Sequence, residues 1–175
     1  MKLTKLGTGS FGDVWKGTCR EQPVAIKILH RQDFDAKQLQ VFRREVEVLS
    51  QIYHPNVCLF MGACFEKGSM MIVSELLPKG DLEKMLRDRN FEMSLFLRMQ
   101  MAIEAARGMT WLHYGDPVFV HRDVKPANFL VTDSFGIKIT DFGLSQATAQ
   151  GTSLRDGKGL QKKKKKKKKM GDKID

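Results

Sequence analysis

The sequence predicts an α+β protein, and three observations carry that expectation. The first third alternates short β-rich runs with glycines, a helical period sets in near residue 35, and a long apolar helix candidate follows at 94–113. Strands gathered first and helices after them belong to the α+β class. With 175 residues, 42% of them hydrophobic, the chain suffices for one domain with a sizeable core.

Taken in order, Lys2 to Thr8, Val14 to Cys19 and Val24 to Leu29 are the first strands, punctuated by glycines and by Pro23. From about Asp35, Leu39, Phe42, Val46, Leu49 and Tyr53 recur at spacings of three and four, the apolar stripe of an amphipathic helix. His54-Pro55-Asn56 ends that helix in this reading, because proline restricts the residue before it and has no amide to donate. Val57 to Phe65 and Met70 to Glu75 return to strand character, and Gly80-Asp81 opens a short helix through about Arg87. Ser94 is the expected N-cap of a helix reaching His113. Its apolar residues occupy nearly every face, as in a helix covered on all sides by its domain. Short strands are expected near Val118 to Val120, Phe129 to Val131 and Ile137 to Thr140.

The formal net charge is +10, but eight of those charges are the consecutive lysines Lys162 to Lys169. The remainder is close to neutral, so no specific nucleic-acid-binding face is expected. Cys19, Cys58 and Cys64 are odd in number and lack C-x-x-C spacing, which argues against a disulfide framework or a zinc site. No apolar run approaches the roughly 18 residues of a membrane span, and the N-terminus has no signal-peptide pattern. A cytoplasmic protein without a transmembrane segment is the expectation.

Gly7-Thr8-Gly9-Ser10-Phe11-Gly12-Asp13-Val14 contains a G-x-G-x-x-G loop. Dinucleotide-binding domains use the same loop, and Asp33 even supplies an acidic residue about twenty positions on. That motif requires a helix directly after the third glycine, whereas Asp13 to Thr18 is a strand pattern closed by Gly17. A strand-turn-strand loop instead lets glycine backbone close over phosphates, with Val14 packing on a flat base. Val24-Ala25-Ile26-Lys27 follows, and in a strand Ala25 and Lys27 share one face. A lysine there supplies point charge to α- and β-phosphates and needs a carboxylate to hold it. Glu45 lies about 80° and Glu47 about 120° from the centre of the apolar stripe, so Glu45 is the better partner.

His121-Arg122-Asp123-Val124-Lys125-Pro126-Ala127-Asn128 fits H-R-D-x-x-x-x-N, and Asp141-Phe142-Gly143 begins eighteen residues after Asp123. Asp123 is the candidate to orient and deprotonate a hydroxyl, Lys125 to neutralise charge on a moving phosphoryl group, and Asn128 and Asp141 to bind Mg²⁺ through hard oxygens. Together the motifs describe transfer of the γ-phosphoryl group of ATP.

With these residues on the page, the chain resembles the eukaryotic protein kinases. His54 to Cys64 is similar to the stretch after the regulatory helix in the tyrosine kinase-like group, whose Raf and mixed-lineage members phosphorylate serine and threonine. Lys125, two residues past Asp123, is similar to the serine/threonine pattern. The resemblance implies a bilobal kinase fold, with residues 1–75 as a complete small lobe, 76–77 as hinge and 78–160 as an incomplete helical lobe. It implies ATP and Mg²⁺ as cofactors and a protein substrate. By the same resemblance Leu6, Gly7, Gly9, Gly12, Val14, Ala25, Leu77 and Leu130 surround the nucleotide. Ser74 guards the back of the adenine pocket, and Glu75 begins the stretch whose backbone binds adenine. Leu49, Phe60, His121 and Phe142 match the side-chain stack of active kinases.

The pattern departs at Gln161. No Ala-Pro-Glu follows, nor any later helix, so a nucleotide-binding or regulatory fragment without phosphotransfer stands as the alternative reading. Residues 161–175 are expected to be a disordered lysine-rich tail. It reads as a polybasic segment for non-specific acidic partners, as a solvated charge run, or as the product of a translated adenine tract.

Overall fold

A computed structural model describes residues 3–9, 11–115 and 118–141. The architecture is α+β, a five-stranded antiparallel sheet with few helices. Strands β1 (Thr4–Thr8), β2 (Gly12–Cys19) and β3 (Gln22–Leu29) form a meander. Then β4 (Phe60–Cys64) and β5 (Met71–Glu75) complete the order β1-β2-β3-β5-β4. The turn between β2 and β3 holds Arg20 and Glu21 at φ 49° and 66°, the left-handed pair that a two-residue hairpin demands.

Between β3 and β4 lies helix α1 (Ala36–Leu49). Asp35 caps it: its Oδ1 accepts from the Gln38 amide at 2.8 Å, and Gln38 Oε1 accepts from the Asp35 amide at 3.2 Å, a reciprocal capping box. Phe42, Val46 and Leu49 are buried against the sheet-side core. The helix stops five residues short of the expected proline-driven end, leaving Tyr53 off the stripe and 81% exposed. At that end the Ser50 amide still donates to the Val46 carbonyl at 2.9 Å and its hydroxyl to the Glu47 carbonyl at 2.6 Å, and the Ile52 amide then turns to the Leu49 carbonyl, an i→i−3 bond that closes the last turn.

After the sheet come α2 (Leu82–Arg87), α3 (Leu95–Tyr114), a 3-10 turn (Pro126–Asn128) and the hairpin β6 (Phe129–Val131) with β7 (Ile137–Ile139). Ser94 caps α3, accepting from the Leu97 amide at 3.2 Å. Two sequence expectations are corrected. Residues 118–120 form no strand, because the Phe119 amide donates to the Leu112 carbonyl at the end of α3. The second correction is the strand expected from Val57, which begins only at Phe60.

One apolar cluster joins the two parts of the molecule. Leu29 and Ile72 from the sheet, with Met70 just before β5, meet Phe42 and Val46 of α1, Leu112 of α3 and Ile139 of β7. A smaller cluster of Met101, Val131 and Ile137 sits under α2. Continuous packing between the sheet, α1, α3 and β7 holds β7 beside the sheet, which sets the position of the residues that follow it.

Candidate active site

The glycine loop joins β1 to β2. Gly9 closes it by donating to the Gly12 carbonyl at 2.9 Å, and the His30 amide donates to Phe11. On its flank, Asp13 accepts from Lys5 Nζ at 2.9 Å and lies 3.4 Å from His30 Nε2. The hydrogen bond from Lys5 is the main reason the Asp13 carboxyl lies below its ordinary range. Val14 pairs with Lys27 across β2 and β3, and Ala25 pairs with Ser74 across β3 and β5. Leu6 at the entrance is exposed, whereas Val14, Ala25, Leu77 and Leu130 are half-buried.

Lys27 is only 8% exposed, and its Nζ donates to Asp141 Oδ1 at 2.7 Å, across 114 residues of sequence. Glu45 on α1 is likewise 8% exposed, while Glu47 faces solvent. Asp141 follows β7 at φ 59°, in the left-handed region that few non-glycine residues enter and aspartate enters more readily than most. Arg122 is held in the same region, at φ 64°.

A second constellation forms around Asp123. Lys125 Nζ lies 2.7 Å from Asp123 Oδ2, and Asn128 Nδ2 donates to Asp123 Oδ2 at 2.9 Å and to its carbonyl at 2.8 Å. The bond from Lys125, then that from Asn128, lowers the Asp123 carboxyl below its ordinary value; the same bond raises Lys125. His121, 1% exposed, ties this group to the first. Its Nδ1 accepts from the Asp123 amide at 3.3 Å, so Nε2 carries the hydrogen and donates to the Thr140 carbonyl at 3.0 Å. Thr140 in turn donates its amide to the Asn128 carbonyl. The Asp123 loop and Asp141 are thereby braced on a common frame. Phe142 and Gly143 lie outside the described residues, as do Ser10 and the lysine run.

Three residues at the site escaped the sequence reading. Lys138 binds the Glu75 carboxylate through both oxygens, at 2.6 and 2.8 Å. Asn56 donates to the Ile137 carbonyl and accepts, through its own carbonyl, from the Ile139 amide. Glu104 of α3 accepts from the Ile137 amide at 2.7 Å. The one sequence signal for Lys138 is a charge between two isoleucines in a short strand. Cys58, behind the site, is buried, and burial pushes its thiol up to about 12.

Among the described residues no cluster of three or more His, Cys, Asp or Glu side chains is present, and no helix is long and apolar enough to cross a membrane. A magnesium site built on one carboxylate and one amide, completed by phosphates, needs no such cluster.

Comparison with known proteins agrees with this geometry. Residues 1–167 match the family model described as protein tyrosine and serine/threonine kinase. The chain is 54% identical over 151 residues to the dual specificity protein kinase shkC of Dictyostelium discoideum, covering 86% of this chain and 30% of that protein. Identity to the dual specificity protein kinase shkA of the same organism is 49% over 153 residues, covering 87% and 29%. The probable serine/threonine-protein kinase SIS8 of Arabidopsis thaliana is 40% identical over 142 residues, covering 81% and 14%. The chain thus spans less than a third of the length of these relatives. On the family match, the sheet and the motif geometry together, it belongs to the protein tyrosine and serine/threonine kinase family.

Proposed function

We propose that the chain transfers the γ-phosphoryl group of ATP to a serine or threonine hydroxyl of a protein, as a member of the tyrosine kinase-like group. The observation that carries this reading is the juxtaposition of Asp123, Lys125 and Asn128 with the Lys27–Asp141 pair through His121 and Thr140. Gly7, Gly9 and Gly12 line the phosphates with backbone; Leu6, Val14, Ala25 and Leu130 sandwich the base; Ser74, Glu75 and Leu77 border the adenine edge. In this reading Lys27, held by Glu45, draws the α- and β-phosphates into register. Magnesium, when bound, neutralises charge on the phosphates. Asp141 offers it a carboxylate oxygen, and Asn128, whose Nδ2 is spent on Asp123, offers Oδ1. Asp123 accepts the proton of the attacking hydroxyl, and Lys125 moves from Asp123 to the phosphoryl group as charge develops there.

The relatives shkC and shkA are named dual specificity kinases, which favours tyrosine as a further acceptor. The small lobe of residues 1–75, the hinge at 76–77 and the helical part from 78 to 160 are the divisions this reading adopts. A radiolabelled ATP assay on a generic basic protein tests it, comparing the chain with its Asp141→Ala variant. Incorporation in the first alone, followed by phosphoamino-acid analysis, is the expected result and assigns the acceptor. Equal background in both sinks phosphotransfer by this chain and leaves nucleotide binding without transfer as the reading.

A further inference from the structure

We propose that Lys138 is a positioning residue for the nucleotide, acting through the Glu75 carboxylate to fix the hinge against the strand that carries Asp141. The proposal rests on the nucleotide-binding reading above and goes beyond it. Within β7, Ile137 and Ile139 are buried in the two apolar clusters. Strand alternation therefore turns Lys138 to the opposite face. There its Nζ meets both Glu75 oxygens, at 2.6 and 2.8 Å, with each side chain about a fifth exposed.

Glu75 is anchored from the other side as well. Its Oε1 accepts from the Leu59 amide at 2.7 Å, and its own amide donates to the Leu59 carbonyl at 3.0 Å. The carboxylate is thus held by three bonds from two separate segments, one before β4 and one on β7. Ion pairs with most water excluded keep more of their Coulombic strength than surface pairs, and two charge-assisted bonds define direction as well as distance.

The location gives the pair its consequence. Lys138 stands opposite Leu130 in the β6–β7 ladder and three residues before Asp141. Glu75 is the last residue of β5, next to Ser74. One contact therefore ties the adenine edge of the site to the strand ending at the metal-binding carboxylate. A nucleotide spanning both ends binds best when their separation is set before it arrives, because less freedom is then lost on binding. Removing the amine leaves the Glu75 carboxylate partly buried with its cation gone and frees the hinge to shift.

The test titrates a fluorescent ATP analogue with magnesium into the full chain and into Lys138→Met, Glu75→Gln and the double variant, with a thermal melt of each. Lys138→Met is expected to bind about tenfold more weakly, the scale on which outer contacts orient a binding group. The double variant is expected to bind no more weakly than the poorer single variant, since both changes remove one contact. Should Lys138→Met fail to fold, the loss in Glu75→Gln, which keeps an oxygen for the Leu59 amide, carries the test. A purely structural role would lower the melting temperature and leave the affinity of the folded protein unchanged. Wild-type affinity in a folded Lys138→Met, or losses that multiply in the double variant, overturns the proposal alone. A wild-type chain that binds no nucleotide overturns the functional reading and this proposal with it.

Discussion

A Cβ added at Gly12 would lie 2.3 Å from the Ile28 carbonyl oxygen, whereas at Gly7 nothing stands within 4 Å. The two glycines of one loop therefore answer to different demands, backbone packing at Gly12 and open space at Gly7. Gly12→Ala should cost about 1–3 kcal/mol, because a strand carbonyl cannot move aside cheaply. Gly7→Ala should leave the melt within about 0.5 kcal/mol and, if the loop covers phosphates, lower affinity for ATP. Equal melting temperatures for both variants would contradict the assignment. Asp123 supplies a second prediction. Its carboxyl is held below 3.8 by Lys125 and Asn128, so its contribution to stability is present above 3.8 and lost as pH falls through the folded value. Lys125, raised above 10.5, contributes fully below 10.5 and loses that contribution as pH rises through its folded value. Both side chains are nearly half exposed, so solvent screens the pair and the effect on stability is small. The base proposed for phosphotransfer is accordingly ionised throughout the neutral range. A rate profile losing activity through a single group between about pH 5 and 7 would argue against Asp123 as that base.

The elements were legible in proportion to how local their causes are. The capping box at Asp35 and the Ser94 cap act within three residues, and both helices begin beside them. Helix α1 ended before the proline, where the Ile52 amide turns to the Leu49 carbonyl in an i→i−3 bond, a tightening that periodicity does not register. The β2–β3 turn carries a cost that its sequence does not advertise. Arg20 and Glu21 occupy left-handed backbone without glycine, at roughly 1–2 kcal/mol per residue of intrinsic preference. Replacing Glu21 by glycine should stabilise the sheet by about 1 kcal/mol, since the hairpin geometry is kept and the Cβ penalty removed. Chemical denaturation checks this; a lower midpoint in Glu21→Gly would show that the side chain contributes more than the strain costs.

Across the whole molecule, α3 is the exposed weakness. Leu95, Phe96, Met99, Ala102, Ile103 and Ala106 recur at helical spacing on one face, and all are exposed, with Leu95 73% and Phe96 78% accessible. The opposite face, with Met101, Gly108 and Leu112, is buried. A Cβ at Gly108 would meet the Asn56 carbonyl at 2.7 Å, so that side is packed backbone to backbone. Burying one methionine or isoleucine contributes about 1.5–3 kcal/mol, and several left wet rival a domain margin of roughly 5–15 kcal/mol. The isolated chain is therefore expected to self-associate through this face. Met99→Lys with Ile103→Lys should shift it toward monomer in size-exclusion chromatography. A monodisperse wild-type monomer melting cooperatively above roughly 45 °C would contradict this.

By itself the sequence determined the α+β class, the motif residues and, apart from the strand expected at 118–120, the order of the elements, because propensity, capping and two-residue alternation are written within a few positions of each side chain. The choice between Glu45 and Glu47 as the buried carboxylate also lay in helical phase, which is local geometry. Tertiary structure alone decided that Lys27 meets Asp141, that residues 118–120 bond to the end of α3, and that Lys138 clasps Glu75. Those contacts join positions 114, 7 and 63 residues apart. The two long-range pairs depend on the apolar cluster that brings β7 beside the sheet, so no window of sequence contains both partners together with the reason they meet.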